Sequence, residues 1–474
     1  MQNRRDQVQA QSYVLGRLTA ALVAAEPDSL ESPHRRMIVG SICGLLVGAL
    51  FVAGFAIFGL LHPGGATKWR TPGVLVVEKE TGTRYVYVGG ALRPVLNYAS
   101  ARLLLGKEPT VVSVSRQSLR DVPRGQPVGI VGAPDTLPRA GTVTNQVWTV
   151  CALAARDQAG SLATTTTLAI SWAGAGRRRD RPLGPDQAIV ATTSDGGDAI
   201  GGESFLVWRG RRLRLAEPWL ARVFGLDRGG VPVQAGWLDS VPAGPDLAPV
   251  PVPGRGTQGP AIDGRKARIG ELFVARTTGA QERRYLLLPD GLAELTPVAY
   301  TIIAADPETT KLYGGGAVTP AELSPAALAQ MPISRRAVLP TGVPESPPQL
   351  AQAPAGAAWC VRHAMADGRV EVTADVPPGS SAGVPDGAGL TRTSRTAARI
   401  AVEPGVGGLV LVGRLDQAAG SGFYLMTDAG VKYPLASAKV AEQLGYPPGG
   451  ARPVPRRLLE LVPTGPLLES AAGG

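Results

Sequence analysis

Three histidines and three cysteines are all that this chain of 474 residues offers for metal or thiol chemistry. A His-cluster metal enzyme or a zinc finger needs several such ligands at close spacing, so both classes are excluded and no metal site is expected. His34 and His62 flank an apolar run, which leaves His363 as the single histidine of the region beyond it. A Ser-His-Asp triad would have to use that residue. No neighbouring motif marks it, and it reads as a surface or packing histidine. A GxxxxGK(S/T) phosphate loop is absent, because Gly106-Lys107 lacks the upstream glycine, and neither HExxH nor CxxC occurs. No catalytic, cofactor-binding or metal-binding residue is assigned. Cys43 lies inside the apolar run, so Cys151 and Cys360 remain for more than 400 residues. A pair suits one structural disulfide in an oxidising compartment; the alternative is two unrelated buried thiols. A bond would set the two Cα atoms about 4.4–6.8 Å apart.

The 48 basic residues exceed the 38 acidic ones, a net charge of +10, and only seven of the 48 are lysines. The charge is spread along the chain, which gives general surface character with a weak pull toward anionic partners and no sign of nucleic acid. Arg177-Arg178-Arg179 and the group Arg209, Arg211, Arg212 and Arg214 are either solvated faces or contacts for phosphate or wall polymers. With 61 glycines and 42 prolines but 44% apolar residues, the chain buries a core and is rich in turns.

The elements that position these residues begin with residues 37–61, MIVGSICGLLVGALFVAGFAIFGLL, which carry no charge. A helix of that length spans about 37 Å, enough for a bilayer core. A cleaved signal peptide would have a shorter apolar region behind a shorter leader, so a retained single-pass anchor is expected. Arg35 and Arg36 on one side and Lys68 and Arg70 on the other leave its orientation open. Gly40, Gly44 and Gly48 recur every fourth residue and should let another helix pack closely, flanked by Val47, Leu50 and Phe51, with Gly54 and Gly59 off that line. Before the anchor, residues 4–25 read as an amphipathic helix with Val8, Leu15, Leu18 and Leu22 near one face and Arg4, Arg5, Asp6 and Arg17 adding charge. It either lies on lipid headgroups or docks on a cytoplasmic partner.

Beyond the anchor an α+β pattern recurs four times: strand, turn, strand, Gly, Pro, short helix, closing segment. The first copy has Val74-Leu75-Val76-Val77, Tyr85-Val86-Tyr87-Val88, Gly90 and a helix over 99–105 ended by Gly106. The second has Phe205-Leu206-Val207-Trp208, Gly210 and a helix over 218–224. The third has Leu272-Phe273-Val274, Tyr285-Leu286-Leu287-Leu288 and Gly291; the fourth has Leu409-Val410-Leu411-Val412, Phe423-Tyr424-Leu425-Met426, Gly430 and a helix ended by Gly445. Three copies close on Val-Pro-x-Gly, at Gly125, Gly244 and Gly465. The uneven spacing argues against a plain solenoid and locates two inserts. Each brings strands and one cysteine: Gln146 to Cys151 with Thr166, Leu168, Ile170 and Trp172, then Ala358-Trp359-Cys360-Val361 with Val370-Glu371-Val372. They are expected to pair as a central β domain tied by Cys151–Cys360. The expected organisation is a helix at 1–36, the anchor at 37–61, repeats at 66–125, 187–247, 269–333 and 408–468, the central domain at 126–186 with 334–407, a linker at 248–268 and a tail at 469–474. Stretches 243–260, 340–357 and 377–388 read as surface loops.

Arg4-Arg5-Asp6-Gln7-Val8-Gln9-Ala10 followed by Tyr13, Arg17 and Ala21-Leu22, then Ser32-Pro33 before Arg35-Arg36 and the single anchor, resembles the opening of the EccB family, the single-pass component of actinobacterial type VII (ESX) secretion systems. The repeats and the two cysteines around the central region are similar too. The short end, 471–474, departs from members with a long Pro-rich tail. The resemblance implies a cytoplasmic N-terminus and an elongated extracytoplasmic region at the cell membrane. It implies self-association and assembly with the motor ATPase EccC, with EccD, with a mycosin protease and, in systems that carry it, with EccE. It also implies a peptidoglycan contact through the repeats. Some members are described as ATPases; ATP enters here by resemblance alone, as an alternative to a structural subunit.

Overall fold

The computed structural model describes residues 4–24, 33–61, 67–106, 108–140, 147–156, 162–171, 181–193, 202–225, 230–276, 281–376, 383, 385–412 and 422–470. Trp172 and Arg177–Arg179 lie outside the described residues. Helices among them are α1 (Arg4–Ala24), α2 (Pro33–Leu61), α3 (Tyr98–Leu105), α4 (Pro218–Val223), α5 (Ala235–Ser240), α6 (Pro297–Ala305), α7 (Pro307–Leu312), α8 (Pro325–Gln330), α9 (Ala438–Gln443) and α10 (Arg456–Leu459). The chain divides into two compact units, Met1–Leu92 with Val111–Arg124, and Arg93–Thr110 with Gly125–Gly474.

The first unit contains α1, α2 and the first hairpin. Val74–Glu78 pairs antiparallel with Arg84–Val88, Leu75 opposite Val86, in a sheet completed by Ala91–Pro94 and Thr110–Val114. Its core holds Trp69, Val74, Val76, Tyr85, Leu92, Val114, Leu119 and Val122.

Three sheets of the second unit repeat one strand order, third-second-first-fourth in chain sense, which is also that of the first sheet. The second sheet uses Gln187–Thr193, Ser204–Trp208, Arg211–Arg214 and Val231–Val233; the third uses Leu272–Ala275, Arg283–Leu288, Gly291–Leu295 and Ala321–Glu322; the fourth uses Gly408–Leu411, Phe423–Met426, Lys432–Pro434 and Arg452–Pro453. In all three the fourth strand runs parallel to the first. Local chemistry explains the turns between second and third strands. Arg209 and Gly210 have φ of 46° and 69°, the mirror-image turn that matches strand twist. Arg209 tolerates this left-handed conformation while its guanidinium lies 4.5 Å over the Trp208 ring. Helices follow the third strands, started by caps: the side chains of Asn97, Thr296 and Ser437 accept from Ser100, Ala299 and Val440 N–H groups. The closing segments return beside the third strands, as Arg212 with Ala243 and Lys432 with Thr464. Gly465 lies against Tyr433, where a Cβ would fall 2.4 Å from ring atom Cε1.

The two inserts form one six-stranded sheet, in the order Arg399–Val402, Leu162–Ile170, Val147–Arg156, Ala358–Ala364, Val370–Asp375, Arg181–Pro182. Cys151 stands directly opposite Cys360, and the two are disulfide-bonded with Cα atoms 4.0 Å apart. That separation is below the expected range. Directly facing residues in an antiparallel ladder already approach to about 4.5 Å at close pairs, so the register sets it. One core joins this sheet to the second and fourth sheets through Trp148, Leu168, Ile189, Val207, Val410 and Met426, with Trp237 of α5 and Leu458 of α10. A second core is shared by the second and third sheets.

Three loop expectations need correction. The stretch 243–260 is not all surface: Leu247 and Val250 are buried in the core shared by the second and third sheets. The linker 248–268 contains a hairpin, Gln258–Ile262 with Arg265–Arg268, whose Ile262 and Ala267 cover the other face of the third sheet. Within 340–357, Gln349–Leu350 adds a parallel strand to Gln187–Thr193. Of 377–388, residues 377–382 and 384 lie outside the described residues.

Candidate anchoring, docking and charged surfaces

Within α2, Met37–Gly59 is apolar throughout, with a mean hydropathy of 2.4 and no part of its most apolar window buried by the rest of the chain. Twenty-three helical residues rise about 34 Å, the thickness of a bilayer core. Successive residues turn by about 100°, so Gly40, Gly44 and Gly48 share a face that continues as Phe51, Phe55 and Phe58. No atom lies within 4 Å of where a Cβ would sit on any of the three glycines. An open apolar groove on the same side is lined by Val47, Leu50, Phe51, Gly54, Phe55 and Phe58. Gly54 also lines this groove, between Phe51 and Phe58.

Helix α1 carries Val8, Leu15, Leu18 and Leu22 with their side chains exposed, as expected from their spacing. Val14 is exposed at the edge of that stripe beside Leu18, and Tyr13 is exposed on the opposite side, so the helix is less sharply two-faced than the pattern suggests. The Arg17 guanidinium sits 6.0 Å from the Tyr13 ring centre.

In the second unit His363 is 2% exposed on strand Ala358–Ala364, facing Trp148. It donates an N–H to the backbone carbonyl of Ser240, while its Nε2 has no partner among the described residues. Burial and the nearby Arg457 guanidinium push its pKa down to about 4, which keeps the imidazole neutral. It is a packing histidine. Of the group Arg209, Arg211, Arg212 and Arg214, three members are engaged within the protein. Arg212 bonds Asp239 at 2.8 Å, Arg214 bonds Asp246 at 2.8 Å, and Arg209 lies on Trp208.

Sequence reasoning missed a second charged cluster, because its members are ordinary lysine, arginine and glutamate residues spread over more than 200 positions. Arg395 reaches Asp239 at 2.7 Å and lies 3.9 Å from Glu460, which Arg456 contacts at 3.0 Å. Lys432 is buried beside it. Its Nζ donates to the carbonyls of Leu459, at 2.6 Å, and Val462. Burial depresses its pKa to about 8.

A family model described as "Type VII secretion system ESX-1, transport TM domain B" matches residues 2–473. The chain is 29% identical to the "ESX-3 secretion system ATPase EccB3" of Mycolicibacterium smegmatis, over 98% of this chain and 89% of that protein. Its fold is similar to a chain in the structure of the periplasmic assembly from the ESX-5 inner membrane complex, with a TM-score of 0.65 and 25% identity over 87% of this chain and 97% of that one. It is also similar to the EccB3 dimer from the ESX-3 core complex, with a TM-score of 0.61 and 25% identity, covering 84% and 98% respectively.

Proposed function

The chain belongs to the EccB family of type VII secretion proteins, and from that premise we propose that it is a membrane-anchored structural subunit of an ESX-type secretion complex, organising the assembly outside the membrane. The observation that carries this reading is that the family match runs unbroken through the membrane helix and all five sheets described above. The proposed topology has α1 in the cytoplasm and the sheets outside. The Cys151–Cys360 bond supports it, because structural disulfides persist in oxidising compartments; the likeness to a chain of a periplasmic assembly points the same way. Likeness to an EccB3 dimer supports self-association, for which the Gly40, Gly44, Gly48 face of α2 is the proposed contact. The four sheets of equal strand order support four diverged copies of one hairpin-helix unit, at 66–125, 187–247, 269–333 and 408–468, around the central sheet. Contact of these copies with peptidoglycan is a further part of the proposal.

EccC, EccD and a mycosin protease are the proposed partners, with EccE where a system carries it, and α1 is the segment proposed to dock on EccC. Detergent extracts holding the tagged full chain should yield these proteins by mass spectrometry. Replacing Leu15 and Leu18 together by Glu should lose EccC while the chain stays in the membrane; unchanged recovery of EccC would count against a docking role for α1. The alternative, ATP hydrolysis by this subunit, takes its support from the names of relatives and none from a phosphate-loop motif. Saturable hydrolysis by the purified full chain, removed by a single substitution, would favour it.

A further inference from the structure

Around α10 the second unit gathers more positive charge than its carboxylates balance. Arg212 and Arg395 share Asp239. Arg456 and, at longer range, Arg395 share Glu460. Among the described residues, Lys432 and Arg457 have no carboxylate within ion-pair distance. Five cations thus face two carboxylates. Lys432 is 9% exposed; Arg457 is half-buried, with an Nε that is buried and has no partner among the described residues. Burying a charge without a counter-charge costs several kcal/mol per ion, so an arrangement of this kind is expected where an anion completes it. Both cations are pulled toward their neutral forms, Lys432 by burial against the opposing pull of Glu460, and Arg457 by burial and then by Arg212.

The space for that anion is beside Lys432. A cavity of about 350 Å³ is lined by Lys432, Arg456, Thr391, Thr396, Tyr424 and Thr464, with Glu460 at its wall. The Lys432 ammonium spends two of its three hydrogens on the Leu459 and Val462 carbonyls, which leaves one. Thr393 and Thr396 bond each other and the adjacent loop backbone, whereas the hydroxyls of Thr391 and Thr464 are uncommitted among the described residues. We propose that this cavity binds a phosphate-class oxyanion, held by the third N–H of Lys432, the Arg456 guanidinium and the Thr391 and Thr464 hydroxyls. A tetrahedral dianion suits the site better than a flat carboxylate. It offers oxygens to donors converging from several sides.

The anion could be free phosphate or the phosphate of a nucleotide, and both are tested on the full-length chain in detergent micelles. Inorganic phosphate, titrated at constant ionic strength and followed by calorimetry, should bind saturably at one site. Arg456→Gln, an exposed side chain whose loss leaves the fold intact, should weaken binding about tenfold, as should Thr464→Val to a smaller degree. Lys432→Met should abolish it, but that variant also frees two buried carbonyls, so the decision rests on the other two. ATP binding more tightly than phosphate assigns the anion to a nucleotide; equal or weaker binding assigns it to free phosphate. The proposal is overturned if neither probe saturates, or if Arg456→Gln and Thr464→Val both bind like the parent.

Discussion

The neutral imidazole of His363 ties stability to pH. Its pKa is about 4 in the folded chain and near 6.5 in an unfolded one. Below pH 6.5 the unfolded chain therefore takes up a proton that the native state refuses, and stability falls as the pH drops from 6.5 toward 4. The full effect is about 3 kcal/mol. Denaturant unfolding at pH 7 and at pH 4.5 should show a smaller loss for His363→Gln than for the parent; equal losses would show that this residue does not carry the dependence. Single residues were legible from the sequence where their rarity drew attention. Two cysteines in two strand-bearing inserts sufficed to pair Cys151 with Cys360. Lys432 and Glu460 were not legible. Their types are common, and Arg395 meets Asp239 across 156 positions, a convergence that only the folded sheets create.

Among elements, the hairpins announced themselves by alternating apolar residues and turn glycines, and the helix ends by Gly106, Gly225 and Gly445, all at positive φ. Elements without such marks were missed. Arg399–Val402 is four residues long and completes the edge of the central sheet only through Leu162–Ile170. Gln187–Thr193 was not read as the partner of Ser204–Trp208, because a long polar stretch separates them. For α2 the residue pattern was legible, yet its continuation into the aromatic half was not: linear spacing from Gly40 stops at Gly48, while the helical turn carries the same face on to Phe51, Phe55 and Phe58. A partner helix seated there would meet small residues over one half and rings over the other. Gly44→Ile and Gly54→Ile should each weaken self-association of the detergent-solubilised chain about tenfold. Ala49→Ile, half a turn away, should leave it unchanged. If all three behave alike in native electrophoresis, this face is not the contact.

At the scale of the molecule, the decisive information is which apolar face covers which, and a periodic pattern marks a face without naming its cover. The second and third sheets bury their faces on each other, with Leu220 of α4 and Ile302 of α6 in one core. Helix α3, which follows the third strand of the first sheet in the chain, is instead part of the core of the fourth. Ala99 and Leu103 pack in one cluster with Leu409, Leu411, Val440 and Leu444, although more than 300 positions separate α3 from α9. These cores join elements that sequence order does not suggest, and a further core joins the central sheet to the second and fourth sheets. A defect in the cluster of α3 with the fourth sheet should therefore act first on the elements that share that cluster. Leu103 is 4% exposed, and Leu103→Ala should cost about 2–5 kcal/mol through lost contacts and a residual cavity. Amide hydrogen exchange should then quicken in α9 and in strands Gly408–Leu411 and Phe423–Met426, by opening of that cluster. Strands Leu272–Ala275 and Arg283–Leu288, which pack in other cores, should keep their parental rates. Acceleration confined to α3 itself would mean that the helix is not integral to the fourth sheet's core; acceleration everywhere would mean that the second unit opens as one.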